Sequence, residues 1–147
     1  DNVEIIGVNS RLDSLNAEVL SFRLKKLKSV ISKRQKNINL YKKYLSTNKV
    51  RIIEDCSNQR NAHVMFVTFC EDRDKLQQYL SKYKIQSLVY YKTPLHLHRA
   101  TKYLNYRKGD FPKAEKIAKK VLSFPHHQYL KQKEIKFICK KINDFYN

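Results

Sequence analysis

Apolar residues recur at steps of three, four and seven from Leu12 to about Ser46, through Leu20, Leu24, Leu27, Ile31, Ile38, Tyr41 and Leu45. Lysines and arginines fill most of the other faces, and no glycine or proline interrupts. The spacing predicts one long amphipathic helix with a single apolar stripe. A helix of that length connects two bodies or crosses a subunit contact. Ahead of it, Ser10 and Asp13 form a pair resembling a capping box, which sets the expected helix start.

Downstream the pattern changes. "TNKVRIIEDCSNQRN" is polar punctuation around a short strand, and "AHVMFVTFC" (62–70), apolar on both parities, predicts a buried strand. Asp72 offers an N-cap for a helix carrying Leu76, Tyr79, Leu80 and Tyr83 inward. "IQSLVYY" (85–91) predicts a second strand, followed by an irregular stretch marked by Pro94 and the Gly109–Asp110 turn. "FPKAEKIAKKVLSF" predicts a short helix, with Pro112 in its first turn. A closing helix carries Ile135, Ile138, Ile142 and Phe145 as its stripe. Few strands and many helices predict an α+β fold: a long N-terminal helix leading into a small, mainly antiparallel sheet covered by helices. The expected division is 1–50, the leading motif and long helix, and 51–147, a small α+β domain.

The chain has 147 residues, and 41% of them are hydrophobic, which suits one folded unit with a modest core. Its formal net charge of +18 points to an anionic partner. Lysines outnumber arginines by 23 to 8, with Asn, Ile and Tyr also abundant, as an AT-rich coding bias favours. The alternative is therefore a solvated basic surface. Cys56, Cys70 and Cys139 fit neither a disulfide framework nor a zinc site, so a reducing, cytoplasmic setting is expected. No signal peptide or apolar stretch of spanning length is visible.

Three clusters carry candidate chemistry. Gly7, Asn9, Arg11 and Asp13 surround the expected helix start, where backbone N–H groups favour an anion. The Asn9 amide can donate to phosphate and the Arg11 guanidinium can make a two-pronged contact with phosphate or carboxylate. The alternative there is a capped helix with an exposed arginine. In "VYYKTPLHLH" (89–98), Tyr90 and Tyr91 end a strand and His96 and His98 follow a stiffened turn. These residues can face a cleft; alternatively the tyrosines edge the core and the histidines lie on the surface. His96 and His98 form at most half of a metal site, with no carboxylate nearby in sequence, and no metal is expected. In "RKGDFPKAEKIAKKVLSFPHH" (107–127), Glu115 is the one chemically notable group, and His126 and His127 are expected to point apart. No paired catalytic acids, supported Cys–His dyad, phosphate-cradling loop or dinucleotide fingerprint is present.

Taken together and in order, these clusters resemble the C-terminal part of nucleotide-sugar aminotransferases of the DegT/DnrJ/StrS family. The family pattern G-x-N-x-R-L-D is met by "GVNSRLD", its V-Y-Y-P-x-P-L-H-L segment by "VYYKTPLHLH", and its G-x-x-P-x-A-E helix and V-L-S-L-P stop by "GDFPKAEKIAKKVLSFP". The resemblance runs from Gly7 to the end of the chain. It implies the small-domain part of a fold type I, aspartate-aminotransferase-like enzyme that uses pyridoxal phosphate. It further implies that Asn9 reaches the cofactor phosphate of a partner subunit in a homodimer. Arg11 would lie at the sugar-nucleotide site, and Tyr90, Tyr91 and His96 would line the substrate pocket. Departures from the pattern are Lys92 for a proline, Asn16 and Glu18 for Gln and Ala, His98 for Gln and Lys131 for a capping Thr.

In the family the lysine that forms the Schiff base precedes the Asn9 motif, so no catalytic residue is expected in this chain, which alone should be inactive. The parent activity implied is transfer of an amino group from glutamate to a nucleotide-linked keto-sugar, in the branch acting at a 3-keto position, for surface polysaccharide or deoxyaminosugar synthesis. The competing expectations are a basic nucleic-acid-binding module and a non-catalytic remnant that pairs with an intact homologue.

Overall fold

The structure is a computed structural model and describes residues 3–9, 12–55, 58 and 61–147. The elements run α1 (Ser14–Leu24), α2 (Leu27–Tyr44), β1 (Val50–Ile52), β2 (Val67–Cys70), α3 (Arg73–Lys82), two 3₁₀ turns (Leu95–Leu97 and Arg99–Leu104), α4 (Pro112–Lys120), β3 (Val121–Ser123) and α5 (Gln132–Tyr146). The strands form one antiparallel sheet in the order β1-β2-β3, which is the α+β arrangement expected.

The expected single long helix is two. The chain turns at Lys25–Lys26, where the Lys26 N–H bonds the Arg23 carbonyl and α2 restarts at Leu27. The two halves differ in environment. No residue of α1 is buried, whereas α2 places Asn37, Ile38 and Tyr41 inside. The helix also starts later than expected. Its cap is Asp13, whose carboxylate accepts the Asn16 backbone N–H at 2.7 Å and the Asn16 side-chain amide at 3.0 Å. Ser10, the cap expected from sequence, lies outside the described residues.

The predicted strand over 62–70 contracts to β2. Phe66, Thr68 and Cys70 alternate inward, while Val64 and Met65 are exposed. The predicted strand over 85–91 reduces to a single bridge, in which the Leu88 and Ser123 backbones exchange hydrogen bonds of 3.1 and 2.7 Å. Its partner β3 lies within the stretch expected to be helical to Phe124. The helix ends at Lys120, and Val121, Leu122 and Ser123 pair with β2. The Thr68 hydroxyl reinforces this pairing by donating to the Leu122 carbonyl at 2.8 Å.

The core joins α2, α3 and α5 to the sheet around Ile38, Tyr41, Leu76, Leu80, Leu122, Ile135 and Ile142. α5 presents Ile135, Ile138 and Ile142 inward, as the sequence predicted. At its start the Glu134 carboxylate accepts the Lys131 backbone N–H at 2.7 Å. That contact keeps half of a capping box where Lys131 stands in the cap position. Tyr79 is partly buried against this core and Tyr83 is exposed, so only Leu76 and Leu80 of the predicted α3 stripe are fully enclosed. Burial pushes the thiols of Cys70 and Cys139 up, to about 11 and about 12, so both remain protonated and inert at neutral pH.

Candidate functional site

A cleft of about 1020 Å³ opens between the irregular stretch 90–106 and α4. Its walls are mostly apolar, from Pro94, Leu95, Leu104, Phe111, Ile117 and Val121. Tyr90, Tyr91 and His96 all line it, so three of the five residues singled out in the sequence converge on one cavity. A large apolar pocket with a few polar groups is the usual form of a small-molecule site.

Local chain geometry brings these groups together. The bridge at Leu88 anchors the end of the segment on β3, and Tyr90 and Tyr91 follow it off the sheet edge. Tyr90 is half-buried, Tyr91 is 66% exposed, and their rings meet edge to face at 5.7 Å. Pro94 then begins the first 3₁₀ turn, which carries His96. The alternative of tyrosines in the core edge and histidines on the surface is reversed: the tyrosine ring is the more exposed group, and the histidines are enclosed.

His96 and Glu115 are paired. The Nε2 atom of His96 lies 3.2 Å from Oε1 of Glu115, and the two side chains are 8% and 13% exposed. The same carboxylate oxygen accepts the Gly109 backbone N–H at 2.7 Å. The Phe111 ring covers the imidazole at 4.8 Å between centroids, and Tyr106 meets Phe111 edge to face at 4.9 Å. The expectation that no carboxylate sits by the histidines held along the sequence but not in space: α4 returns Glu115 to His96 across nineteen positions. The Gly109 N–H, and after it His96, hold the Glu115 carboxyl below the usual carboxylate range, against the opposing effect of desolvation. Gly109 sits at φ +102°, a conformation that only glycine adopts freely, and this turn aims its N–H at Glu115.

His98 does something different. Its Nδ1 accepts the Val3 backbone N–H at 3.1 Å, and its Nε2 donates to the Thr93 carbonyl at 3.1 Å. The Ala100 N–H bonds the Val3 carbonyl at 2.9 Å, and Arg99 pairs with Glu4 at 2.9 Å. The imidazole is thus a structural clasp that holds the leading segment to the cleft rim. No local pattern marks this contact, because its partner is a backbone N–H ninety-five positions away.

Asn9 and Arg11 are the other two residues singled out. Asn9 is exposed on the leading segment and makes no hydrogen bond among the described residues. Arg11 lies outside the described residues. At the helix start the Asp13 carboxylate caps the Asn16 backbone N–H. No lysine lines the cleft among the described residues.

The profile of the DegT/DnrJ/EryC1/StrS aminotransferase family matches residues 2–143. The chain belongs to this family. The erythromycin biosynthesis protein EryC1 of Saccharopolyspora erythraea is 37% identical over 123 residues, covering 83% of this chain and 34% of its own. A dTDP-3-amino-3,4,6-trideoxy-α-D-glucose transaminase of Streptomyces venezuelae is 32% identical over 133 residues, covering 88% of this chain and 34% of its own. The crystal structure of S. venezuelae DesV with a ketimine intermediate superposes with a TM-score of 0.86 at 28% identity, over 97% of this chain and 38% of that one. A family aminotransferase from Brucella abortus superposes at 0.84 with 33% identity, over 100% of this chain and 39% of that one. The chain therefore spans little more than a third of the length of these relatives. The match confirms the resemblance read from the sequence and the fold class with it. Members of the family are sugar aminotransferases dependent on pyridoxal phosphate.

Proposed function

We propose that this chain forms the sugar-nucleotide wall of an aminotransferase that moves an amino group from glutamate to a keto-sugar carried on a nucleoside diphosphate. The observation that supports this reading is the convergence of Tyr90, Tyr91 and His96 on one apolar cleft in a family member. A hexose ring presents apolar faces and a rim of hydroxyls, which suits aromatic walls with a few polar groups. Transaminases of 3-amino sugars recur among the relatives, including a dTDP-3-amino-3,6-dideoxy-α-D-galactopyranose transaminase of Aneurinibacillus thermoaerophilus, which favours a 3-keto substrate. Synthesis of surface polysaccharides or deoxyaminosugars is the setting such a product serves.

Pyridoxal phosphate, when bound, supplies the carbonyl that carries the amino group between donor and acceptor. In this reading Asn9 donates to its phosphate across a homodimer contact, Arg11 binds the charged part of the substrate, and Tyr91 and His96 orient the sugar. Among the described residues that line the cleft, none is a lysine that could hold the cofactor covalently. In this reading the chain by itself does not transaminate.

The reading is tested in a protein of family length that carries this chain, assayed with glutamate and a dTDP-linked 3-keto-hexose. Asn9→Ala is expected to weaken cofactor retention, and His96→Ala to raise KM for the sugar nucleotide. Unchanged kinetics in both variants would overturn the assignment, as would turnover by the 147-residue chain alone.

A further inference from the structure

Within the cleft, one carboxylate oxygen serves two donors. Glu115 Oε1 lies 3.2 Å from His96 Nε2 and 2.7 Å from the Gly109 backbone nitrogen. An ionised carboxylate only accepts hydrogen bonds, so the contact requires a proton on Nε2. A neutral imidazole carries one proton, so Nδ1 of His96 is left with its lone pair. Nδ1 has no partner among the described residues, and its ring lines the cleft. Phe111 packs against that ring at 4.8 Å, and the Gly109 N–H tethers the same carboxylate oxygen, so ring packing and an anchored acceptor together fix the imidazole.

We propose that Glu115 is a positioning residue: it locks His96 in the Nε2-protonated form and turns Nδ1 to the cleft as a hydrogen-bond acceptor. The group of the ligand that meets His96 is then a donor, a hydroxyl of a sugar ring rather than a phosphate oxygen. A phosphate oxygen would face a lone pair there, and binding it would require a second proton on the ring. The inference rests on His96 belonging to a ligand cleft, as proposed above, but the protonation pattern is a property of the chain without ligand.

The test is ¹⁵N-edited long-range NMR of the His96 ring in the chain at pH 8, without ligand, for the natural sequence, Glu115→Gln and Glu115→Met. The natural chain is expected to show Nδ1 in the unprotonated range and Nε2 in the protonated range. Glu115→Gln keeps an acceptor oxygen at the same reach and is expected to preserve this pattern. Glu115→Met keeps the volume without the acceptor and is expected to lose it, giving mixed tautomers. Protonated Nδ1 in the natural chain would overturn the proposal, and so would an unchanged pattern in a folded Glu115→Met variant. The natural chain and Glu115→Gln decide the matter even if Glu115→Met does not fold. Because no ligand is added, a failed sugar-nucleotide assay bears on the proposed function and a wrong tautomer bears on Glu115.

Discussion

The hydroxyl of Tyr41, on a fully buried ring in α2, donates to the Pro125 carbonyl just past β3 at 2.7 Å. The ring lies against Phe66 and Phe124, with centroids at 4.9 and 6.2 Å. Four residues before it, one helical turn away, the Asn37 amide donates to the His127 carbonyl at 2.9 Å. These bonds fix α2 to the segment just past β3, the strand whose Val121 lines the cleft. They also satisfy carbonyls that would otherwise face an apolar interior.

Tyr41→Phe therefore removes one donor, keeps the packing and leaves the Pro125 carbonyl unpaired. The expected loss is about 1–3 kcal/mol of unfolding free energy, read as a lower urea midpoint with an unchanged slope. A variant as stable as the natural chain would show that water replaces the bond.

Burial separates the sheet core from α1 sharply. Leu122→Ala empties a fully enclosed site beneath the sheet and should cost about 2–5 kcal/mol. Leu15→Ala, on α1 where the side chain is 77% exposed, should change stability by no more than about 0.5 kcal/mol. Chemical denaturation of both variants checks the contrast. A comparable loss at Leu15 would mean that α1 packs against something in solution.

Acid should destabilise the chain through His126. Burial holds this imidazole below the ordinary histidine value of 6.5, while the bond to the His63 carbonyl at 2.6 Å opposes that shift. The unfolded chain binds the proton more readily than the folded one, so stability is fully present above the unfolded value and falls as pH drops from there toward the folded one. Denaturation midpoints measured between pH 7 and pH 5 should decline. His126→Gln, which retains a donor and cannot titrate, should flatten that slope. An equally steep slope in the variant would place the acid sensitivity elsewhere.

Much of this architecture was legible along the chain, and the exceptions have physical causes. The α5 stripe was readable because Ile135, Ile138 and Ile142 meet a single packing surface. The break at Lys25–Lys26 was not, because no glycine or proline marks it and apolar spacing continues across it. β3 was hidden because Val121 and Leu122 extend the apolar rhythm of α4, and only pairing with β2 makes them a strand. At the site, Tyr90, Tyr91 and His96 share one short segment and were found together. Glu115 was seen without its role, since its partner lies nineteen positions away and no local pattern encodes that distance. The cap moved to Asp13 because a carboxylate at that position reaches the Asn16 N–H directly.

The central claim is that the cleft holding Tyr91 and His96 receives a sugar nucleotide. Titrating the chain with dTDP-glucose, while following the ring resonances of His96 and Tyr91 by NMR, tests it most directly. The account predicts that both rings shift and saturate together, at one concentration and with little dependence on salt. Rings that stay fixed while scattered lysine signals respond, and lose that response as salt is raised, would contradict it and leave only a basic surface that attracts anions.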